Sequence, residues 1–240
     1  MPLHRLDKII TDTGLCSRRQ AREIIFHGRA AVDGQPGTDP ALKLDAALHT
    51  VTVDGAELDG EEHIYIMMNK PGGVLTAARD KRAPTVLDAI PAEWKKRGVF
   101  PVGRLDKDTT GLLLLTDDGP FAHRVISPRS HIGKLYEAQV DGVPTVSDAE
   151  AFREGIVLAD GTRCLPAELT DLGEGKVRVV VFEGKYHQVK RMLAARYLPV
   201  LALRRLRIGG LWLDESLKPG EYRRLSREEL LSIGPELLSK

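Results

Sequence analysis

The stretch Gly103-Arg-Leu-Asp-Lys-Asp-Thr-Thr-Gly111 sets one carboxylate, Asp106, among basic and hydroxyl neighbours in a tight polar turn. The apolar run Gly98–Val102 leads in and Leu112–Leu115 leads out, so the charged cluster sits where two buried strands meet. A carboxylate so placed suits a nucleophile or a general base. An Asp in a glycine-bounded turn also commonly caps its own backbone, and the turn alone does not choose between the two. A second cluster, Glu183-Gly-Lys-Tyr-His-Gln-Val-Lys-Arg-Met192, runs from a strand into a helix whose apolar stripe is Val189, Met192 and Leu193. Lys190 and Arg191 on that helix need partners or solvent, and a cation directed at Asp106 would keep that carboxylate ionised. Asn69-Lys-Pro-Gly-Gly73 is, on its own, a loop-forming Pro-Gly turn. The chain carries no phosphate-loop spacing, no G-x-G-x-x-G, no H-E-x-x-H and no G-x-S-x-G, which withdraws support from nucleotide, dinucleotide, zinc-peptidase and serine-hydrolase chemistry.

Charge distribution narrows the class of partner. The net charge of +1 hides two stretches without a single Asp or Glu, in a chain with 34 acidic residues among 240. Gly184–Arg207 carries Lys185, Lys190, Arg191, Arg196, Arg204, Arg205 and Arg207, and Gly119–Tyr136 carries His123, Arg124, Arg129, His131 and Lys134. Acid-free basic stretches point to a polyanion surface, and nucleic acid is the expected partner. Charged residues make up 29% and hydrophobic ones 42%, values of a soluble globular enzyme. No apolar run approaches the roughly 18 residues of a membrane span. Met-Pro-Leu-His-Arg at the N-terminus lacks an apolar export segment, so a cytoplasmic location is expected. Cys16 and Cys164 lie far apart without partners at ligand spacing, so neither a disulfide framework nor a zinc site is expected.

The elements that must position these clusters fall into two portions. In the first, Leu6, Ile9 and Ile10 form a helical stripe ending near Gly14, and Ser17 with Gln20 makes a capping box that opens a second helix through His27. Ala30–Val32, the Asp33-Gly34 pair and a strand at Thr50–Val53 imply a small sheet turning on Asp-Gly pairs. Helical spacing places Arg18 and Arg22 on one outward face, with Arg19 beside them. Asp54–Glu62, acidic and poor in apolar residues, is the expected linker, giving domains at 1–59 and 60–240 that are expected to move relative to one another. Beyond it the pattern is strand-rich: Ile64–Met68, Val99–Val102, Leu112–Leu115, Lys134–Val140, Val177–Phe182 and Leu201–Ile208, with helical segments at Thr85–Ile90, Ser147–Glu154 and Tyr186–Arg196. The lack of regular alternation implies an α+β domain around a largely antiparallel, mixed sheet flanked by helices. Ser226–Lys240 reads as a terminal helix with Glu228 and Glu229 in its first turn.

The first portion resembles the S4 RNA-binding domain over about residues 3–50, through Arg5-Leu-Asp-Lys8, Ser17-Arg-Arg-Gln-Ala21 and Val32-Asp-Gly34. Charge does not carry that reading, since residues 1–60 hold seven Lys and Arg against nine Asp and Glu. The resemblance implies RNA contacts through Arg5, Lys8, Arg18, Arg19 and Arg22. Asn69–Gly73, Gly103–Gly111, Lys134–Tyr136, Glu183–Met192 and Arg207-Ile-Gly-Gly210, in that order, closely resemble the pseudouridine synthases, specifically the RsuA-like branch that carries an N-terminal S4 domain. What the resemblance implies is a cofactor-free and metal-free RNA isomerase. In it Asp106 is the catalytic aspartate, Lys190 the basic residue paired with it, Tyr136 the aromatic that stacks on the target base and Arg104 the residue that helps hold a flipped nucleotide. Asn69, Lys70, Lys134, His187, Gln188 and Arg191 are carried over as substrate contacts. Ser127-Pro-Arg129 with His131, the Lys134-Leu-Tyr136 segment, the second cluster and Pro219-Gly-Glu-Tyr-Arg223 are most similar to family members acting on small-subunit 16S rRNA, which implies uridine 516 as the target. Gly14-Leu-Cys-Ser-Arg-Arg-Gln20 is also similar to members acting on 23S rRNA. The expected substrate is rRNA, free or in a pre-ribosomal particle, and the expected state is a monomer. A non-catalytic RNA-binding assembly factor is the alternative of a different class.

Overall fold

Ser17 and Gln20 close a reciprocal capping box: the Ser17 hydroxyl accepts from the Gln20 backbone N–H, and the Gln20 side chain accepts from the Ser17 N–H at 2.9 Å. That box starts α2 (Arg18–Phe26), which packs on α1 (Leu6–Asp12). The computed structural model describes residues 3–13, 15–45, 48–58, 63–234 and 237. The chain divides into two units, Met1–Ile64 with Pro91–Val99 and Tyr65–Ile90 with Phe100–Lys240. In the first unit Leu6, Ile9, Ile10, Ala21, Ile24 and Ile25 form one buried cluster with Ala30, Leu44, Val51 and Val53. Its strands are β1 (His4–Arg5), β2 (Ala30–Val32), β3 (Gln35–Pro36), β4 (Lys43–Leu44), β5 (Val51–Val53) and β6 (Ala56–Glu57). β1 pairs with β4, and the others run in the order β3-β2-β5-β6.

Asp33-Gly34 and Asp54-Gly55 both have positive φ at each residue, the twist that a two-residue hairpin demands. The second pair corrects the expected linker, because Asp54 and Gly55 turn the β5–β6 hairpin and residues 54–57 therefore belong to the first unit. Of the rest of that linker, the Leu58 N–H donates to the Val51 carbonyl at 2.7 Å, and residues 59–62 lie outside the described residues, as does Gly14, the expected stop of the first helix. A short helix, α3 (Ala92–Lys96), clusters with the first unit, although the sequence reading leaves it in the second portion.

The second unit is the expected α+β arrangement around a largely antiparallel sheet. Its strands are β7 (Tyr65–Lys70), β8 (Phe100–Pro101), β9 (Thr110–Thr116), β10 (Lys134–Val140), β11 (Glu168–Gly173), β12 (Lys176–Val181), β13 (Val200–Ile208), β14 (Leu211–Trp212) and β15 (Tyr222–Arg224). They run in the order β11-β12-β10-β13-β9-β7-β15, with β14 beside β13 and β8 beside β9. The pairing of β9 with β13 is parallel, and it joins two antiparallel halves at the middle of the sheet. Gly111 stands at that junction, opposite Arg205 of β13 on one side and Lys70 of β7 on the other.

Helices α4 (Gly119–Ile126) and α7 (Arg227–Ile233) lay Phe121, Val125, Leu230 and Ile233 against Met67, Leu112 and Leu114 of the sheet. The sequence reading took 119–136 only as a basic stretch and missed α4, although Asp118 accepts from the Phe121 N–H as its cap and Pro120 follows. Of the other helices, α5 (Val146–Glu154) matches expectation. The expected helix at Thr85–Ile90 is a single 3₁₀ turn, Val86–Ala89, and α6 (Gln188–Ala194) starts two residues late because His187 is left-handed, with φ 48°. The expected helix to Lys240 is α7 as far as Ile233, and residues 235–236 and 238–240 lie outside the described residues. Among the described residues no helix is long and apolar enough to cross a membrane.

Two glycines of the sequence motifs are fixed by close approach. Gly111 has φ 97°, and a Cβ there would collide with the Arg205 carbonyl oxygen. Gly209, at φ 57°, lies against the Ile233 carbonyl, and the Gly210 N–H donates to the Ser232 carbonyl at 2.7 Å, so Arg207-Ile-Gly-Gly210 is where the end of α7 docks. Gly111→Ala is therefore expected to cost about 3 kcal/mol or more of unfolding free energy, against about 1 kcal/mol for Gly220→Ala, whose positive φ faces open space. Denaturant unfolding of the two variants checks the difference, and equal losses would contradict the collision at Gly111.

Candidate active site

The loop between β8 and β9 is held from below before its side chains do anything. The Lys70 ammonium, fully buried, donates to three carbonyls: Pro71 at 3.0 Å, Lys107 at 3.2 Å and Thr109 at 2.9 Å. The Thr76 hydroxyl donates to the Leu105 carbonyl at 2.8 Å and accepts from the Leu105 N–H, while the Gly73 N–H donates to the Lys107 carbonyl at 2.8 Å. A turn from the Thr109 N–H to the Asp106 carbonyl closes the loop at 3.1 Å. Asn69-Lys-Pro-Gly-Gly73 is thus the underside of the Asp106 loop. Fixing the backbone on both sides of Asp106 limits where its carboxylate can point, the requirement for a reacting group.

Opposite the loop stand His187, the left-handed residue just before α6, and Lys190 in the first turn of α6. His187 Nε2 lies 3.4 Å from Asp106 Oδ1, and Lys190 Nζ lies 3.4 Å from Asp106 Oδ2 and 2.6 Å from Asp108 Oδ1. The Lys190 hydrogen bond holds the Asp108 carboxyl below its usual range. The strand-to-helix turn that aims α6 rests on buried Glu183, which accepts from the Leu165 N–H and from Gln188 Nε2, at 2.8 and 3.0 Å, and pairs with Lys185. Gln188 Oε1 in turn accepts from the Lys185 N–H at 2.9 Å.

Tyr136, on β10, is 9% exposed and lines the same cleft as Arg104, Asp106, His187, Gln188 and Lys190. Its hydroxyl accepts from Arg205 Nη1 at 3.3 Å, and Arg205 Nε donates to the Leu112 carbonyl at 2.7 Å, which ties β10, β13 and β9 together behind the ring. Sequence reasoning missed Arg205 as a site residue, counting it only in a basic stretch. Its signal was the strand period: Leu203 and Arg205 alternate inward while Arg204 faces out.

Four residues expected to contact substrate do not line the cleft. Lys70 is the fully buried support described above, and burial pulls its ammonium down to about 8 against the opposing pull of Asp108 and Asp106. Lys134 is likewise buried, donates to the Ile132 carbonyl at 3.2 Å and is pushed down to about 8 by burial and by Arg205. Asn69 Nδ2 donates to the Leu217 carbonyl at 2.7 Å, and Arg191 pairs with Asp160 at 2.6 Å while also donating to the Tyr186 carbonyl. Lys70, Lys134 and Asn69 each hold a backbone carbonyl, and Arg191 holds one together with the Asp160 carboxylate, so in this structure all four are engaged within the protein.

In the first unit the expected RNA-contact residues separate into two groups. Arg5, Arg18 and Arg22 converge on one buried carboxylate, Asp7, at 3.0, 3.5 and 3.3 Å, with the guanidinium groups still partly exposed. Lys8 and Arg19 instead make i,i+4 pairs with Asp12 and Glu23 along their own helices. The hydrogen bonds from Arg5, opposed by burial and assisted by Arg22, lower Asp7 to about 2 from 3.8. A depressed carboxylate contributes stability that is present above about pH 4 and lost as pH falls towards 2. Asp7→Asn is expected to remove about 2 kcal/mol of acid-sensitive stability in that window. Unfolding midpoints compared at pH 7 and pH 3 check this, and a variant with the acid sensitivity of the unaltered chain would count against the assignment.

The sequence model of RNA pseudouridylate synthases matches residues 64–195, and that of the S4 domain matches residues 4–47. The ribosomal small subunit pseudouridine synthase A of Escherichia coli strain K12 is 42% identical over 236 residues, covering 95% of this chain and 99% of that protein. An uncharacterized RNA pseudouridine synthase of Bacillus subtilis, YtzG, is 41% identical over 230 residues, covering 94% and 96%. A solved pseudouridylate synthase structure superposes with a TM-score of 0.68 at 34% identity, over 95% of this chain and 99% of that one. The chain belongs to the RNA pseudouridine synthase family and carries an S4 domain at its N-terminus.

Proposed function

We propose that the protein converts one uridine of small-subunit 16S rRNA, the one numbered 516, to pseudouridine, with Asp106 as the carboxylate that carries the reaction. The observation that carries this reading is the position of Asp106, on a loop pinned at Leu105, Lys107 and Thr109 and facing His187 and Lys190 across an open cleft. The reaction breaks the bond from uridine N1 to C1′ and forms one from C5 to C1′. N1 gains a proton and C5 loses one, so no redox partner or group donor enters the balance. Asp106 acts by attacking the uridine or its ribose, or by assisting deprotonation of the sugar. The target base must leave its stack at a cost of a few kcal/mol. Stacking on Tyr136 and phosphate contacts from exposed Arg104 and the Arg5, Arg18 and Arg22 array offset that cost. The 42% identity to the small subunit synthase A of Escherichia coli, over nearly both full lengths, supports the choice of 16S rRNA.

Carbodiimide-adduct primer extension on 16S and 23S rRNA, free and in immature particles, tests both parts. A stop in 16S rRNA is expected with the unaltered chain and is expected to vanish with Asp106→Asn, whose rate should fall about 10³-fold or more. A stop in 23S rRNA would reassign the substrate, and a stop that persists with Asp106→Asn would remove Asp106 from the chemistry. Lys70→Met is expected to lower kcat while KM for RNA stays within about threefold, because its ammonium supports the loop from beneath. A raised KM with unchanged kcat would instead restore Lys70 as a substrate contact.

A further inference from the structure

Two carboxylates share Lys190, and the nearer one is not the one assigned to the chemistry. The direct hydrogen bond of the ammonium goes to Asp108 Oδ1 at 2.6 Å, while Asp106 Oδ2 stands back at 3.4 Å. The Asp108 carboxylate is 76% exposed and that of Asp106 26%. An exposed negative charge beside a cleft that must admit a phosphodiester chain repels its ligand, so its presence there needs a reason. The backbone leaves it little freedom: Lys107 and Thr109 are both tied by their carbonyls to Lys70, and the Thr109 N–H closes onto the Asp106 carbonyl. The turn therefore holds two carboxylates to one ammonium.

We propose that Asp108 is a positioning residue that draws Lys190 off Asp106, leaving the Asp106 lone pairs open to the uridine while the ammonium still stabilises its charge. This deepens the proposed role of Asp106 and rests on it. A carboxylate that accepts a short charge-assisted hydrogen bond has that lone pair engaged and is a weaker nucleophile or base. With the charge of Asp108 removed, Lys190 closes on Asp106, its remaining acidic partner.

The sign of the accompanying pH effect follows from the charges around Asp106. His187 faces it from the turn before α6 and Lys190 from α6, Arg104 and Asp108 belong to its own loop, and Lys70 lies beneath. Glu183 and Lys185, further along the cleft, pair with each other. Removing one negative charge from this group favours proton loss from each of its titratable members, so both limbs of the pH–rate profile move to lower pH.

The test measures kcat, KM for the substrate rRNA and the pH profile of kcat/KM for the unaltered chain, Asp108→Asn, Asp108→Glu and Asp106→Asn. Asp108→Asn is expected to lower kcat about tenfold, to leave KM unchanged or lower, and to displace the acid limb downward by about one pH unit. Asp108→Glu, which keeps the charge, is expected to return the limb towards its original position. An unmoved limb in Asp108→Asn, with or without a fall in kcat, would overturn the proposal, since a merely structural contact changes rate or stability without moving the profile. Activity in Asp106→Asn would instead overturn the role of Asp106, so the two failures are separable.

Discussion

One buried ammonium organises the site. Lys70 ends β7 opposite Gly111 of β9, and its Nζ reaches the Pro71, Lys107 and Thr109 carbonyls. Carbonyls left unpaired in the interior would each carry a desolvation penalty, so an irregular loop inserted between β8 and β9 needs a donor of this kind beneath it. Three donors on one nitrogen answer two carbonyls of that loop, Lys107 and Thr109, and the carbonyl of Pro71 beside Lys70 itself. That match fixes the backbone on both sides of Asp106, and Gly111, with its positive φ, lets β9 lie against the Arg205 carbonyl of β13.

The sheet then determines what Asp106 faces. β9 pairs in parallel with β13 and antiparallel with β7, so the loop opens where the two antiparallel halves meet. Tyr136 and Arg205 are opposed across β10 and β13, and Arg205 donates through to the Leu112 carbonyl of β9. A parallel contact at the centre of an otherwise antiparallel sheet is thus stitched by a buried guanidinium as well as by backbone. The first unit uses the opposite sign to the same end, with one buried carboxylate, Asp7, gathering three guanidinium groups from β1 and α2. In each unit a single buried charge orders several groups nearer the surface.

How much of this was legible in the sequence depends on whether the determinant was local. The Ser17–Gln20 capping box, the Asp33-Gly34 turn and the strand at Lys134–Val140 depend on short-range patterns and could be read, whereas Gly103–Gly111 and Glu183–Met192 were joined in one site through the family resemblance. Lys70, Lys134, Asn69 and Arg191 could be picked out as members of the motifs but not as supports, because a residue type states its charge and not its burial. Asp7 and Arg205 escaped for a related reason: each acts on partners brought near by folding, 11 and 15 residues away in one case and 93 in the other. The Asp54-Gly55 hairpin was hidden by acidic composition, which suggested a linker and outweighed a turn signal that the same reading had trusted at Asp33-Gly34.

The net charge of +1 says little about the cleft, where charge is balanced locally. Each carboxylate that lines the cleft or stands at its loop is met by a basic side chain of α6 or of the turn before it: Asp106 by His187 and Lys190, Asp108 by Lys190, Glu183 by Lys185. Lys185 and Lys190 are therefore engaged by carboxylates of the cleft. Arg104 is exposed at the cleft, and the guanidinium groups of Arg5, Arg18 and Arg22 meet the single carboxylate of Asp7, so positive charge is in excess at both places. On the proposed reading, attraction of the backbone phosphates comes from these few unbalanced cations rather than from the total, because at physiological salt a charge is largely screened beyond about 8 Å.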